Sequence, residues 1–360
     1  MPQLLSLVLA KHKPGSHPPA DVIYLTGGVM TLNLLSLLPL ALGLSAQEWP
    51  GRPAHTYSIV AVDSATGDIG VAVQSHWFSV GASVAWAEPG VGAVATQSFI
   101  EPSYGPRGLY LMRTGSSAPA ALAALLRADP DSQVRQVAMI DARGQVAAHT
   151  GSRDIPAAGH HVGRWYSVQA NLMRNDRVWP AMARAFETTP GDLAERMMAA
   201  LEAAQAAGGD IRGQQSAALI VVSGDRSRPA WERGFDLRVE DSPNPLGEVR
   251  RLLTVSRAYQ AATAGDNFVT AGRIDSALVA YRRASEFLPD EATNGELAYW
   301  VGVTLADQGR VDESLPWFRR AFRQDESWIE LTRRLPGAGL LRATEAVIDR
   351  IVREAGAGVR

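Results

Sequence analysis

Chemistry in this chain has to be done without thiols and almost without amines. Cysteine is absent, which removes disulfides, thiol nucleophiles, thiolate zinc sites and lipidated cysteine. Lysine occurs only at Lys11 and Lys13, so Schiff-base and Ser-Lys chemistry have no amine in the body of the chain. Any fixed positive charge at a site must therefore be arginine. His149, His160 and His161 are of a type that ligates metals, but their spacing matches no ligand motif and no helix would set them on one face. No metal and no cofactor is expected. Gly90 to Ala95 fits GxGxxA, yet a loop with Pro102 and Pro106 follows where a dinucleotide site needs a helix. The GxSxG, HExxH and Walker patterns are all missing. Hydroxyl, carboxamide, carboxylate and guanidinium groups remain.

The elements that must position such groups can be read from patterning. At 360 residues and 46% hydrophobic content the chain can bury a sizeable core and fill two domains. Its formal charge is -2 with no run of like charges, so nucleic acid and a polybasic membrane contact are set aside as partners. Leu32 to Leu44 is an uncharged, leucine-rich run ending near Ala46, which reads as a signal peptide and predicts export to the periplasm or beyond the cell. It is shorter than the roughly 20 residues of a membrane span. The other reading is a disordered cytoplasmic leader, since a start at Met30 leaves no basic residue ahead of the run.

From Thr56 the pattern turns to β. TYSIVAVD, the turn SATGD and IGVAVQS read as a hairpin, and Ala82 to Gln97, broken at Pro89-Gly90, as another strand pair. Helical spacing follows in Gly108 to Thr114, Pro119 to Arg127 and Asp192 to Ala207. VRQVAMI and QVAAH, joined by DARG, give a further hairpin. SAALIVV is apolar on both faces and belongs inside a covered sheet, and FDLRVE alternates after it. Strand pairs, then helices, then strands predict an α+β layered fold with two antiparallel sheets between helices.

HTYSIVAVD, GVGAVATQ with PSYGPRGL, RQVAMIDARGQVAAHTG, AGHHVG, QANLM, GGDIRGQQSAALIVV and FDLRVEDSPNPLGEVRRLL, in this order, resemble the Ntn-hydrolase-like domain of unknown function family 1028. The resemblance covers roughly Thr56 to Leu253 and implies a four-layer αββα sandwich with hydrolysis of an amide bond in a small amide or peptide substrate. It makes Thr56 the candidate nucleophile. A threonine at a mature N-terminus joins a hydroxyl to an α-amine of pKa about 8, a usable general base near neutrality. Residues 47–55 form a linker or propeptide that must be cut off to free that amine; without the cut Thr56 is a β-favouring residue at a strand start.

The other candidates follow from what acyl transfer needs. Asn171 in QANLM offers an amide to a developing oxyanion, or is an ordinary loop asparagine. Ser75 could polarise the amine or cap a turn. Asp210 could orient the amine and Arg212 hold a substrate carboxylate, or the two pair with each other; Gln215 stands in the same GGDIRGQQS segment. Gln97 and Tyr104 fall in an expected loop and either line the pocket or order the PSYG turn. A non-catalytic binding or scaffold protein on the same fold is the alternative function.

Beyond residue 253 the sequence reads as an all-α tetratricopeptide-like domain, 254–360. Gly265, Phe268, Gly272, Ala277, Tyr281, Ala284 and Pro289 occupy the spacing of one repeat. Ala298, Gly302, Leu305, Gly309, Phe318 and Ala321 repeat it 37 positions on for the pairs beginning with Gly265 and Gly302, with Ser314 in place of Ala277. Two repeats are few for a free-standing array, so the last helices or the first domain must cap the stack. The tail is open to a protein partner, to homo-oligomer contacts or to simple packing.

Overall fold

Asp63 closes the first hairpin with its own side chain: Oδ1 accepts the Ala65 N–H at 2.8 Å and turns β1 (Thr56–Val62) into β2 (Ile69–Ser75). The computed structural model describes residues 56–357. The expected leader, signal peptide and linker lie outside the described residues. Both strands of the hairpin are buried along their whole length, as mid-sheet strands covered on both faces must be.

Eight further strands follow. They are β3 (Ala85–Glu88), β4 (Gly92–Ser98), β5 (Arg135–Asp141), β6 (Val146–Thr150), β7 (Gly159–Gly163), β8 (Tyr166–Ala170), β9 (Ser216–Val222) and β10 (Phe235–Val239). All pairings are antiparallel, in a six-stranded sheet of order β10-β9-β2-β1-β8-β7 and a four-stranded sheet of order β3-β4-β5-β6. The helices between them are α1 (Val80–Val84), α2 (Tyr104–Arg113), α3 (Ala118–Ala128), α4 (Val178–Thr188) and α5 (Leu193–Ala206). The α+β reading with antiparallel sheets and C-terminal helices stands.

Side-chain alternation assigns the layers. Tyr57, Ile59 and Ala61 of β1, with Ala217, Leu219 and Val221 of β9, pack against Met182 and Phe186 of α4 and Met197 and Leu201 of α5. Val60, Val62, Val71, Val73, Ala218 and Ile220 turn the other way and meet Ala93, Ala95, Ala138 and Ile140 of the second sheet. The far face of that sheet, Val94, Val137 and Met139, buries Leu109 and Met112 of α2 and Leu122 and Leu125 of α3. Small alanines on the four-stranded sheet facing valines on the six-stranded one allow the two to approach closely.

The expected helix from Gly108 begins four residues earlier, at Tyr104. Pro106 lies in the first turn, where a missing N–H costs nothing, so the PSYG segment opens the helix rather than forming a loop. β7 and β8 carry too little apolar alternation to be legible: GHHVG is an edge strand, partly exposed, with glycine at both ends.

The C-terminal helices are α6 (Pro245–Thr270), α7 (Ile274–Phe287), α8 (Glu296–Asp307), α9 (Val311–Gln324), α10 (Ser327–Arg334) and α11 (Glu345–Ala355). The Asn244 side chain caps α6 by accepting the Gly247 N–H, with Pro245 in its first turn. This helix runs through position 253/254 without a break. Its first turns place Leu246, Val249 and Leu253 in the core under the six-stranded sheet. Arg250 pairs with Glu195 at 2.5 Å and Glu202 at 2.8 Å, and Arg257 with Asp192 at 2.8 Å, tying α6 to α5.

Two glycines set how closely the tail helices cross. A Cβ on Gly265 would fall 2.6 Å from the Tyr281 ring, and one on Gly302 3.2 Å from Phe318. The DEATNG connection is pinned to α9 by an Asp290–Arg320 pair at 2.7 Å. Leu335, Leu341, Ile348 and Ile351 pack with Tyr299, Phe318 and Phe322 in one apolar core. Among the described residues no helix is long and apolar enough to cross a membrane.

Candidate functional site

The layer between the two sheets changes character along its length. Where it runs past Val60, Val71 and Ala93 it is dry, and at the end where β1 begins it is polar. Thr56 pairs with Ser75 and Ser75 with Ser216, while the Asn171 N–H donates to the Thr56 carbonyl at 3.1 Å. Asn171, Thr56, Ser75 and Ser216 thus form one row across the six-stranded sheet, all fully buried. The period of two turns Thr56 and Ser75 to the same side as Ser58 and Val73, toward the second sheet.

That second sheet answers with carboxamides. Gln97 on β4 receives the Ser58 hydroxyl at Oε1 (2.7 Å), and its Nε2 donates to the Thr56 carbonyl (3.2 Å) and to Gln136 Oε1 (2.5 Å). Gln136 on β5 also accepts from Asn171 Nδ2 at 2.9 Å and donates from Nε2 to the Thr150 hydroxyl (2.9 Å) and the Ala170 carbonyl (3.0 Å). Gln169 closes the set, donating to Ser58 Oγ at 2.5 Å and accepting from Ser167. Burying a polar group is costly unless it is partnered in this way, and a satisfied network of this kind fixes each amide in one orientation. Gln136, Gln169, Ser58 and Ser216 were not among the sequence candidates. Their signal was available: each is a polar residue at an inward position of a strand that is otherwise buried.

The rim around this end is built from loops in unusual backbone conformations. Ser79, Ser98 and Leu172 have φ of 56°, 71° and 56°, a region that non-glycine residues occupy only when their surroundings hold them there. Ser98 ends β4, while Ser79 and Leu172 lie beyond the ends of β2 and β8, and each of these strands carries a residue of the polar row or network. Leu172 donates to the Ile155 carbonyl at 2.9 Å and accepts from the Ile211 N–H at 3.2 Å, which sets segment 208–214 beside Asn171.

The remaining candidates divide. Asp210 is buried, and its Oδ2 accepts the His76 N–H at 3.3 Å, so it ties the loop after Ser75 to the loop before Ser216. Arg212 lies against the same carboxylate, Nε to Oδ1 at 3.1 Å and Nη2 to Oδ2 at 2.7 Å. The paired reading of these two is the one the structure contains. Gln215 donates through its backbone to the Ser75 carbonyl at 3.0 Å, while its side chain reaches outward to Asp241 at 3.1 Å. Gln97 is no loop residue: it sits inside β4, because GAVATQS continues as a strand to Ser98. Tyr104 is not brought to the site. It packs in the core beneath α2 and α3, with its hydroxyl on Asp129 at 3.1 Å, and burial beside that carboxylate pushes its phenol up.

A family model described as "Family of unknown function (DUF1028)" matches residues 56–249, more than half of the chain. The chain belongs to the DUF1028 family. Its match begins at Thr56, the first residue of the polar row, and ends within α6. The crystal structure of protein SPO2555 from Silicibacter pomeroyi, which carries the DUF1028 family model, is similar. It is 31% identical, covers 61% of this chain and 94% of that chain, and superposes with a TM-score of 0.51. No curated protein matches the chain.

Two titrating groups stand near the polar end of this DUF1028 domain. Burial keeps His160 below the ordinary histidine range, reinforced by His149 and His161, and its Nδ1 lies 2.7 Å from the Thr150 hydroxyl that also receives Gln136. Burial pushes the Asp154 carboxyl up to about 6, against the Ser98 hydroxyl, the Gly151 N–H and His149, which pull it down. Asp154 is 7% exposed, and Ile155 beside it holds Leu172.

The folded chain therefore keeps the Asp154 proton to a higher pH than the unfolded chain, where aspartate titrates near ~3.9. Stability is lost as pH rises through that window and stays lost above it. Asp154→Asn removes the loss: in urea unfolding the variant is expected to match the parent near about pH 4 and exceed it by up to about 3 kcal/mol at about pH 8. A parent–variant difference independent of pH would show that another group is responsible.

Proposed function

We propose that this chain is an exported N-terminal-nucleophile hydrolase that cleaves an amide bond, with Thr56 as nucleophile. One observation carries the reading: Thr56 opens a central strand of a two-sheet sandwich flanked by helices, at the end of the inter-sheet layer where hydroxyls and carboxamides replace valine and alanine. The layer order, helices, six-stranded sheet, four-stranded sheet, helices, supports an Ntn-like αββα sandwich.

In this mechanism the Thr56 α-amine, released by a cut after His55, takes the proton from its own Oγ as that oxygen attacks the substrate carbonyl. Asn171, held by Gln136, presents its carboxamide to the developing oxyanion. The proton passes to the leaving nitrogen, the acyl group remains as an ester on Thr56, and water hydrolyses it. Ser75, across the ladder from Thr56, polarises the amine. Asp210 serves by holding the rim through His76 and Arg212. The leucine-rich run 32–44 would export the chain, and α6–α11 would act as tetratricopeptide-like pairs that offer a surface to a protein partner or a second copy.

A non-catalytic binding protein on the same fold is the competing reading, favoured by the residues that precede Thr56 in the chain. A β-lactone, which acylates N-terminal threonines, separates the two. The mature protein is expected to carry one adduct, mapped by peptide mass to Thr56 and absent from Thr56→Ala; modification only elsewhere, or none, contradicts the catalytic reading.

A further inference from the structure

The groups surrounding Thr56 restrict what its substrate can be. Every side chain of the buried polar layer, Ser58, Ser75, Gln97, Gln136, Gln169 and Asn171, is a neutral hydroxyl or carboxamide. Arg212, the cation of the 208–214 loop, has its fork on Asp210, and that carboxylate is itself occupied by Arg212 and the His76 N–H. Arg212 and Asp210 thus already face each other at hydrogen-bond distance. A substrate carboxylate entering here would have to displace Asp210 from Arg212, and would leave a 2% exposed aspartate without its countercharge.

The same two loops expose large apolar side chains. Phe78, three residues beyond Ser75, is 63% exposed, and Ile211, next to Asp210, is 50% exposed. The loops that carry them are joined: His76 donates to Asp210, and His76 Nδ1 lies 3.3 Å from the Gln214 carbonyl. Ile211 is in turn hydrogen-bonded to Leu172, the neighbour of Asn171. Apolar surface thus flanks the row that holds Thr56, on the two loops that leave Ser75 and approach Ser216. Water is a poor neighbour for such groups, and an apolar substituent covering them gains in proportion to the area removed from solvent.

We propose that this strand end accepts an uncharged amide whose apolar acyl group packs against Phe78 and Ile211, and that it discriminates against amides bearing a carboxylate in that place. The inference rests on the amide-hydrolase reading for the identity of the reacting bond, and on neutral lining and exposed apolar rim for the preference.

A matched pair of anilides tests it on the mature protein. 4-Methylpentanoyl anilide ends in an isopropyl group, and glutaryl anilide is of similar length and ends in a carboxylate. Each is titrated calorimetrically, and aniline release is followed in the same samples. The apolar anilide is expected to bind about tenfold more tightly, and Phe78→Ala and Ile211→Ala each to narrow that ratio at least about threefold by weakening the apolar anilide alone. Equal or tighter binding of glutaryl anilide, no binding of either, or a ratio unmoved by both variants would overturn the proposal. Preferential binding without aniline release would support it and contradict Thr56 as a working nucleophile, so the two failures are distinguishable.

Discussion

Thr56→Ala is expected to lower amide turnover by at least roughly 10³-fold, because it removes the oxygen that forms the acyl ester and leaves nothing of the same reactivity in its place. Thr56→Ser, which keeps both hydroxyl and amine, is expected to retain turnover. The fold should survive either change. The backbone of Thr56 is held by pairing with Ser75, by the Asn171 N–H and by the Gln97 amide, none of which the substitution touches. Urea unfolding should therefore show a loss of no more than about 2 kcal/mol for the alanine variant. Unchanged turnover in Thr56→Ala would refute the nucleophile assignment, whatever the stability of the variant.

The second large effect is expected at Gln136, on stability. Gln136→Leu keeps the volume of the side chain nearly constant and removes all its polar atoms. Gln97 Nε2, Asn171 Nδ2, the buried Ala170 carbonyl and the part-buried Thr150 hydroxyl then each lose a hydrogen bond, Gln97 keeping the Thr56 carbonyl and Thr150 keeping His160. A loss of about 2–4 kcal/mol is expected from these bonds. The coupling is checked by a double-mutant cycle with Asn171→Leu, in which the second substitution should cost at least about 1 kcal/mol less once Gln136 is gone. Strictly additive costs would mean that the two amides do not act as one unit.

The fold was legible where hydrophobic periodicity was clean. TYSIVAVD and IGVAVQS gave the central hairpin, and SAALIVV gave a strand apolar on both faces that lies between β10 and β2. GHHVG and YSVQA were not legible as strands, because an edge strand is not obliged to bury either face and β8 hides its alternation behind Ser167 and Gln169. Those two residues show the general reason. Polar side chains at inward positions weaken the pattern by which a strand is recognised, and here they are the ones that build the candidate site.

The site itself was legible only in part. Thr56, Ser75 and Asn171 were singled out in the sequence and lie in one row, since neighbouring strands set them in register. Gln136 was missed because nothing local distinguishes it: its role depends on reaching Asn171 from another sheet, 35 positions away in sequence. Tyr104 was misplaced because PSYG reads as a turn, whereas Pro106 fits a helix's first turn just as well. Asp210 and Arg212 were correctly seen as a possible pair, but sequence alone could not show that the pair also holds His76. The extent of α6 follows the same logic: its first turns belong to one core and its last to another, so composition marks a change where the backbone has none.

The chemistry proposed for Thr56 depends on the residue that begins the mature chain, since it needs the Thr56 α-amine unblocked. Intact mass combined with N-terminal sequencing of the protein exported by its native host measures this directly. The expected first residue is Thr56; a mature chain beginning at Gln47 would leave that amine in a peptide bond and contradict the proposed mechanism.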